Sequence, residues 1–503
     1  MTVSETIEEA KKVGVKDMSW KAWFMIVTII SAAAVASFYG VNVTMNIDLA
    51  NRVGSLEGML SHTINSTFYA LQKSASYIIS IVKSGATTYY CMQNGTTGTL
   101  DFWSTNASQV SNYARGNLSS LTLGAAGTLY YKTGHYSIDT QIILGHKTHV
   151  TAEPDVWFDV TANLGTGVFV IDNTDLANTD WAIDDVNIDL NSYATNGIYS
   201  LHASQTSLQT RSRMHNLFIQ ECKSGYANIN LTNVKRMDAQ NIRIRSNQGN
   251  GIVLLSTGLD NEGDSYWSNI LVSQAGSNTI ALDIIANSTS KATMSNAVFV
   301  KFQVATSSGT SGNVGVRIVN DHHITFYSPF FDYTDIAFLL DGARHINIYD
   351  TQIGVLNAGD TAFLINGSSV ESNLIHGGEM FGAATNYIND TSTGGPVNVF
   401  EDFDVQGAAV TVSSSNSVFY HCPGYDTEKY GSHASTVSGH TISHSLEVTP
   451  IIVTVTTDNV GIFGTVTAIG ATTFTVGLSW YNGTAVDTSH SPCTVLWHAL
   501  GQP

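Results

Sequence analysis

The sequence predicts a mainly β protein whose central body is a β-solenoid, preceded by a long N-terminal helix and followed by a small β-sandwich. Between about residues 180 and 405, a short unit recurs every 24 to 29 residues. It comprises a polar residue, usually Asn, then alternating apolar residues, a turn and a second short apolar strand. Repeats of this length, built from strands without intervening helices, indicate a solenoid. Only 12% of the 503 residues are charged, against about 25% in an ordinary soluble domain.

Charge and cysteine usage exclude several functions. With 22 Lys and Arg against 40 Asp and Glu, the net charge is −18, which argues against a nucleic-acid partner because phosphate binding requires clustered cations. The four cysteines are far apart and form no C-x-x-C motif, so we predict no metal site and no cofactor. The sequence leaves open whether any pair forms a disulfide. The cysteines are Cys91, Cys222, Cys422 and Cys493.

Residues 22–43 contain no charged side chain and are long enough as a helix to cross a bilayer. Four lysines precede this run, and the next basic residue after it is Arg52. The positive-inside rule therefore predicts a single-pass membrane protein on a cell surface or virion envelope, with residues 1–21 as an interior tail and the C-terminal ectodomain outside. The lipid bilayer is then a partner. A cleaved signal peptide is the alternative, but its apolar region is ordinarily shorter.

Residues 44–84 carry a narrow apolar stripe that repeats every 11 residues. This period predicts a straight or slightly right-handed coiled coil, which would form a self-associating stalk. One amphipathic helix docked on its own domain would show a similar stripe. The predicted interface residues of the stalk are Leu49, Val53, Leu56, Leu60, Ile64, Leu71 and Ile78.

Ten N-x-S/T sequons follow the inner tail and predict N-glycosylation of the outer part. Chance produces many such triplets in a chain rich in Asn, Ser and Thr. The sequons begin at Asn42, Asn65, Asn94, Asn106, Asn117, Asn230, Asn287, Asn366, Asn389 and Asn482.

The repeats also predict an exposed apolar column. We took as anchors Asn187, Asn216, Asn241, Asn269, Asn296, His323, Asn347, Asn373 and Asn398. If the residue after each anchor faces inward, the next one faces outward, and six of these nine outward residues are apolar. An exposed apolar stripe usually marks an interface, so we predict a parallel homotrimer; a covering loop is the alternative. The apolar members are Phe218, Leu271, Val298, Tyr349, Ile375 and Phe400; the others are Asp189, Arg243 and Thr325.

Residues 94–154 add a family resemblance. Asn106-Ala107-Ser108 opens a predicted helix, and Gly127, Gly134 and Tyr136 follow in a Gly-rich strand pattern. This segment resembles the opening of right-handed parallel β-helix proteins of the pectate-lyase-like superfamily, which includes phage tailspikes. The resemblance implies a right-handed parallel β-helix over residues 90–425. It does not imply one activity, because this fold hosts lyases, hydrolases, epimerases and inert adhesins.

Residues 435–503 consist of alternating strands with short turns. The segment looks like the small β-sandwich that ends many tail-fibre-like proteins, some of them related to H-type lectins. Such modules cap trimers or bind sugar.

Two groups of residues are candidates for chemistry. Asp350, Glu379, Glu401 and Asp402 lie in late repeats, where strand stacking could bring carboxylates together for glycan cleavage. A solvated acidic surface is the competing interpretation. By contrast, Asp175 and Asp184-Asp185 only superficially resemble polygalacturonase motifs, because their spacing is wrong. The aromatic residues Tyr327, Phe330 and Tyr333 form a predicted sugar-stacking platform, although strand alternation should bury about half of this aromatic run.

These features favour a membrane-anchored spike or adhesin that binds extracellular glycans or a host receptor, either on a virus or on an archaeal cell. An anchored polysaccharide hydrolase or lyase is the first alternative. A structural component of a surface layer or filament is the second. The sequence favours a binding protein over an enzyme.

Overall fold

The structure is a computed structural model of the full chain. It describes residues 75–120, 127–145, 147–172, 180–201, 209–210, 212–256, 264–286, 296–307, 310–355, 360–368, 370, 372–382, 388–393, 397–405, 410–412, 417–435, 438–444, 446, 448–459, 461–480 and 493–501.

The described residues form 38 strands and one helix, numbered here in chain order. The helix is α1 (Ala107–Ser120), between β3 and β4. The strands are β1 (Tyr77–Ser84), β2 (Thr87–Asn94), β3 (Leu100–Ser104), β4 (Gly127–Tyr131), β5 (Gly134–Ile138), β6 (Ile142–Leu144), β7 (Thr148–Ala152), β8 (Val156–Val160), β9 (Gly167–Asp172), β10 (Ala182–Asp184), β11 (Asn187–Asp189), β12 (Asn196–Leu201), β13 (Gln209–Thr210), β14 (Arg213–Gln220), β15 (Ala227–Thr232), β16 (Val234–Lys235), β17 (Asp238–Ser246), β18 (Asn250–Ser256), β19 (Tyr266–Gln274), β20 (Ile280–Ala286), β21 (Val298–Thr306), β22 (Val314–Val319), β23 (Thr325–Tyr327), β24 (Phe330–Asp332), β25 (Ile336–Asp341), β26 (Asn347–Val355), β27 (Thr361–Asn366), β28 (Leu374–Gly382), β29 (Ile388–Asp390), β30 (Asn398–Glu401), β31 (Val410–Val412), β32 (Ser417–Tyr420), β33 (Glu428–Ser435), β34 (His440–Ser443), β35 (Pro450–Thr457), β36 (Ile462–Ile469), β37 (Thr473–Trp480) and β38 (Cys493–Gly501).

The N-terminal end of the solenoid is closed by β1 to β3 and α1. Strand β1 pairs antiparallel with β2 and parallel with β4. Asn106 caps α1, because its Oδ1 accepts the Gln109 N–H at 2.8 Å. Helix α1 buries Val110 and Leu118 against the first rungs, so the chain's one described helix covers the end of the core.

The predicted coiled coil is wrong in its last part. Residues 77–84 form strand β1 rather than helix, and Ile78 is 4% exposed within the fold. The reason is pairing: β-branched Ile and Val fit the ladder that β2 and β4 offer on either side. Residues 44–74, including Leu49 to Leu71 of the predicted stripe, lie outside the described residues.

The body is a parallel β-helix, as the resemblance implied. An 11-stranded sheet runs from β6 to β31 through every second or third strand of the chain. The longer strands between them pair in parallel within a second, larger sheet. Most turns of the chain add one strand to each sheet, and some add two short strands to the larger sheet, as β10 with β11 and β23 with β24 do. The apolar side chains between the sheets form one continuous core.

Most rungs of the larger sheet bend at one residue with a left-handed backbone. This corner lies in register on ten successive rungs, where short polar residues and Gly adopt positive φ at low cost. The corner residues are Asp185, Asn216, Asn241, Asn269, Lys301, Ser328, Asp350, Gly377, Asp402 and His421. Their side chains form part of a ladder, since Asn241 Nδ2 donates to Asn216 Oδ1 at 3.0 Å and Asn269 Nδ2 to Asn241 Oδ1 at 3.1 Å.

The predicted exposed apolar column is wrong, because its nine residues do not share one column. Ile375 and Phe400 are fully buried in the core. Phe218 and Leu271 lie two residues after the corner, whereas Val298 lies three before it and Tyr349 one before it. The anchors therefore fall at several different positions of the rung, and a shift by an odd number of residues turns a side chain to the opposite face.

The C-terminal residues form a separate small core. Strands β33, β38 and β35 make one antiparallel sheet, and β34, β37 and β36 make another. Phe474, Val495 and Trp497 are buried between them, which is the β-sandwich predicted from the strand pattern. Strand β33 begins at Glu428, a few residues before the predicted boundary.

The predicted single-pass membrane localisation is not supported and is corrected here. Within the described part of the chain, no helix is long and apolar enough to cross a membrane; α1, with 14 residues, would span about 21 Å of a core about 30 Å thick. The apolar run at residues 22–43 and the tail before it lie outside the described residues.

Candidate functional site

The residues directly before the left-handed corner form one outward column, which we call the pre-corner column. Its inward neighbours, from Ile183 to Phe419, are fully or almost fully buried, so strand alternation turns the column away from the core. The column comprises Asp184, His215, Gln240, Ser268, Val300, Tyr327, Tyr349, His376, Glu401 and Tyr420. Both chemically distinctive clusters of the solenoid surface include members of it.

Two tyrosines form the centre of the downstream half, and we call them the tyrosine ladder. The rings of Tyr327 and Tyr349 stack with centroids 5.2 Å apart and planes inclined by 13°. The imidazole of His376 follows at 6.0 Å from the Tyr349 ring, in an edge arrangement. Tyr327 is 45% exposed. Since the facing ring surfaces cover each other, the ladder presents mainly ring edges to solvent.

The ladder ends in a group of ionisable side chains that we call the His/carboxylate cluster: His376, Glu401, Asp402 and His421. His376 Nδ1 lies 3.2 Å from Glu401 Oε2, and His421 Nδ1 lies 3.7 Å from Asp402 Oδ1. One ligand-type atom from each of His376, Glu401 and Asp402 lies within 4.8 Å of the others. Strand pairing produces this arrangement, because β28, β30 and β32 are successive neighbours.

The structure brings together only part of the predicted catalytic set. Glu401 and Asp402 are adjacent in the His/carboxylate cluster. Glu379 lies two residues after the corner, and its backbone pairs with that of Asp404 on the next rung. Asp350 is itself a corner residue. The four carboxylates are therefore spread over three columns, and they do not form one facing pair.

The predicted stacking platform is also divided. Tyr327 belongs to the tyrosine ladder. Phe330 is half-buried and follows the corner, while Tyr333 is 39% exposed at a further turn with positive φ. Tyr349, which we assigned to an interface, is the actual ring partner of Tyr327.

A second cluster surrounds Asp184 in the early rungs, and we call it the Asp184 cluster: His149, Asp184, Arg213, His215 and Asp238. His149 Nε2 lies 2.6 Å from Asp184 Oδ2, and Arg213 Nε donates to Asp184 Oδ1 at 3.2 Å. Arg213 Nη2 also lies 3.0 Å from His149 Nε2. On the next rung, His215 Nε2 lies 3.1 Å from Asp238 Oδ2, without the alignment of a hydrogen bond.

Asp184 is held in its ionised form. Burial by itself raises the pKa of this carboxyl, but hydrogen bonds from His149 and Arg213 outweigh burial, so its pKa lies below the ordinary value. Its side chain is only 10% exposed. A buried carboxylate that orients a histidine and an arginine is an arrangement found at functional sites and in structural ion networks alike.

Sequence reasoning missed the Asp184 cluster, since Asp184 was set aside as a chance motif match. The available signal was spacing: His149, Asp184, His215 and Asp238 follow one another at intervals of 35, 31 and 23 residues, about one turn of the chain each, and Arg213 lies two residues before His215. That signal becomes visible only when the corner, rather than an Asn anchor, fixes the register.

The described sequons occupy varied positions. Asn94 Oδ1 accepts two backbone N–H groups of its own turn, and Asn106 caps α1. The Oδ1 atoms of Asn230, Asn366 and Asn389 are buried. Glycosylation of each sequon stays a prediction, and Asn42, Asn65, Asn287 and Asn482 lie outside the described residues.

No protein-family model matches the chain, and no curated protein matches it. Among solved structures, it is similar to the mannuronan C-5 epimerase AlgE6 A-module of Azotobacter vinelandii (12% identity, TM-score 0.40, 63% of this chain and 95% of that one). It is also similar to DFA-IIIase from Arthrobacter chlorophenolicus A6 (9% identity, TM-score 0.42, 62% and 80%) and to ORF18 of Geobacillus virus E2 (15% identity, TM-score 0.37, 75% and 74%). At these low identities and scores the similarity assigns neither an activity nor a substrate.

Proposed function

We propose that this protein is a glycan-binding protein of the adhesin or spike type, which holds an oligosaccharide along the downstream half of the pre-corner column. One observation carries the proposal: Tyr327, Tyr349, His376 and Glu401 lie in register on four successive rungs. Four rungs spaced about 4.8 Å apart give a line about 14 Å long. This length suits several sugar units of an extended chain better than one monosaccharide.

The side chains along the downstream half of the pre-corner column are chemically suited to a sugar ligand. The exposed edges of the tyrosine rings offer apolar contact together with phenol hydroxyls, and amphipathic aromatic residues suit a ligand that is part apolar and part polar. Beyond them, the carboxylates of Glu401 and Asp402 accept hydrogen bonds from sugar hydroxyls, and such charge-assisted bonds are strong. The side chains of Glu401 and Asp402 are 41% and 55% exposed, so an extended ligand reaches them without a rearrangement of the backbone.

A glycan array with the full chain tests the proposal. We expect retention of a restricted set of oligosaccharides of at least three units, without release of product. Absence of binding to every glycan contradicts the proposal. Assembly of the purified protein into ordered lattices or filaments, with no glycan binding, would favour the structural alternative instead.

A second candidate function is polysaccharide modification, and the Asp184 cluster is the observation that favours it. In the tautomer with its proton on Nε2, His149 donates to the ionised Asp184 across the 2.6 Å contact, and Nδ1 is then available as a base. Arg213 is 42% exposed beside it and supplies positive charge. New reducing ends or unsaturated products, lost in Asp184→Asn but retained in Glu379→Gln and Asp402→Asn, would support catalysis at this cluster.

A further inference from the structure

We propose that the His/carboxylate cluster binds one divalent transition-metal ion, with Zn²⁺ as the representative ion. His376, Glu401 and Asp402 supply three ligand atoms that lie within 4.8 Å of one another. His421 is the proposed fourth ligand, since its Nδ1 is 3.7 Å from Asp402 Oδ1, although it lies outside that group of three. The four side chains come from three successive rungs.

The ligand types select the class of metal. Two imidazoles and two carboxylates suit Zn²⁺ and neighbouring transition metals, whereas Ca²⁺ and Mg²⁺ prefer oxygen ligands alone. Tetrahedral Zn²⁺ bonds of about 2.0–2.2 Å place ligand atoms about 3.3–3.6 Å apart. The separations among the ligand atoms of His376, Glu401 and Asp402, up to 4.8 Å, need to close by as much as about 1.5 Å, which exposed side chains achieve by small rotations on a fixed backbone.

A contribution to the stability of the fold does not explain why the four side chains of the His/carboxylate cluster lie together. The side chains of His376, Glu401, Asp402 and His421 are 40%, 41%, 55% and 73% exposed, and exposed ion pairs contribute little free energy. Asp402 and His421 occupy left-handed corners, with φ of 51° and 52°. Asp and His are among the residues that tolerate this backbone conformation, so the two corners fix the backbone from which these side chains project.

The histidine group formed by His322, His323 and His345 serves as a comparison for the His/carboxylate cluster. His322 and His323 are in contact through Nδ1 atoms 2.6 Å apart, and His323 stacks on His345 at 4.7 Å. The nearby Asp321 is buried, with its Oδ1 accepting the backbone N–H of His322 at 2.7 Å. Among the described residues, only the His/carboxylate cluster brings three His, Cys, Asp or Glu ligand atoms within 4.8 Å.

Isothermal titration of the chelator-treated full chain with ZnCl₂ tests the proposal. We expect one saturable site, weakened about tenfold or more in His376→Asn and in Asp402→Asn. His345→Asn is the matched control, because it removes an imidazole from the other histidine group and should leave the affinity unchanged. Co²⁺ absorption in the visible range reports the coordination geometry independently of affinity.

Two titration results would overturn the metal-binding proposal. No saturable site, or a site lost in His345→Asn and kept in His376→Asn, overturns the proposal. If His376→Asn does not give the wild-type circular dichroism spectrum, His421→Asn replaces it, since that side chain is the most exposed of the four. Glycan binding is measured separately in chelator, so loss of one activity does not imply loss of the other.

Discussion

Tyr327 and Tyr349 stack ring on ring, 5.2 Å apart, on adjacent rungs of the solenoid. Both residues directly precede a left-handed corner, at Ser328 and Asp350. The corner fixes which face of the strand each side chain occupies, so the same geometry that bends the rung also builds the column along which we propose that a glycan binds. The proposed function and the fold are thus linked through the register of one backbone position.

Asp184→Asn should destabilise the protein by about 2 kcal/mol, because it removes charge-assisted hydrogen bonds with His149 and Arg213. The pKa of Asp184 is depressed in the folded state. Its stabilising contribution is therefore present above about pH 4 and is lost as the pH falls through the lower folded pKa. Urea denaturation at pH 7 and pH 3 measures both effects.

Asp185→Asn is the matched control for this variant. Asp185 is the next residue, is exposed and occupies a corner where Asn is well suited. Equal losses in both variants would show that the Asp184 hydrogen bonds contribute nothing specific.

His322 should make stability fall between about pH 6.5 and pH 4. Burial, followed by His323, Arg344 and His345, lowers the pKa of His322 to about 4, against about 6.5 in the unfolded chain. In this range the unfolded chain binds a proton that the folded chain does not, so unfolding becomes easier as the pH falls. His322→Asn should flatten the profile, whereas His135→Asn, at a side chain 69% exposed, should not.

Phe400→Ala should cost about 3–5 kcal/mol. Phe400 is fully buried and stacks on Phe419 at 4.7 Å, so its removal leaves a cavity in the core. Tyr266→Ala, at a residue 44% exposed, should cost much less. A Phe400→Ala variant with unchanged stability and an altered oligomeric state would restore the interface assignment that the structure contradicts.

The homotrimer stays a prediction. Several large apolar side chains of the C-terminal sandwich are exposed, among them Ile451 at 55%, Ile452 at 50% and Phe463 at 58%. We expect residues 75–503 to elute with the mass of a trimer by light scattering and to dissociate in Phe463→Asp. A monomeric mass for both this fragment and the full chain contradicts the prediction.

The repeat length and strand alternation were sufficient to predict the solenoid, but they could not fix its register. Asn occurs at several positions of the rung: Asn216 and Asn241 are exposed at the corner, whereas Asn373 and Asn398 lie before it, buried and joined by a 3.0 Å hydrogen bond. The same residue type therefore does not mark the same place in each rung. Aligning Asn373 and Asn398 with Asn216 and Asn241 turned the buried Ile375 and Phe400 outward in the predicted column.

Only separate parts of the candidate site were predicted, because the sequence did not fix the register of the rungs. Tyr327 was predicted from an aromatic run, and Glu401 and Asp402 from their place in late repeats. Their neighbours Tyr349 and His376 are recognised as part of the same site only when strands are aligned by pairing. Strand β10, which carries Asp184, is three residues long and too short for any periodicity to identify. Contacts between rungs depend on separations of about 25 residues that vary from turn to turn.

The most direct test of glycan binding along the pre-corner column is the affinity of one array-selected oligosaccharide for Tyr349→Ala, measured by titration calorimetry beside Tyr266→Ala. Tyr266 is an exposed tyrosine of the same sheet, three residues before its corner rather than one, whereas Tyr349 is half-buried. We predict that Tyr349→Ala weakens binding about tenfold or more, a loss of about 1.4 kcal/mol, with Tyr266→Ala unchanged. Equal affinities in wild type and Tyr349→Ala would contradict the account.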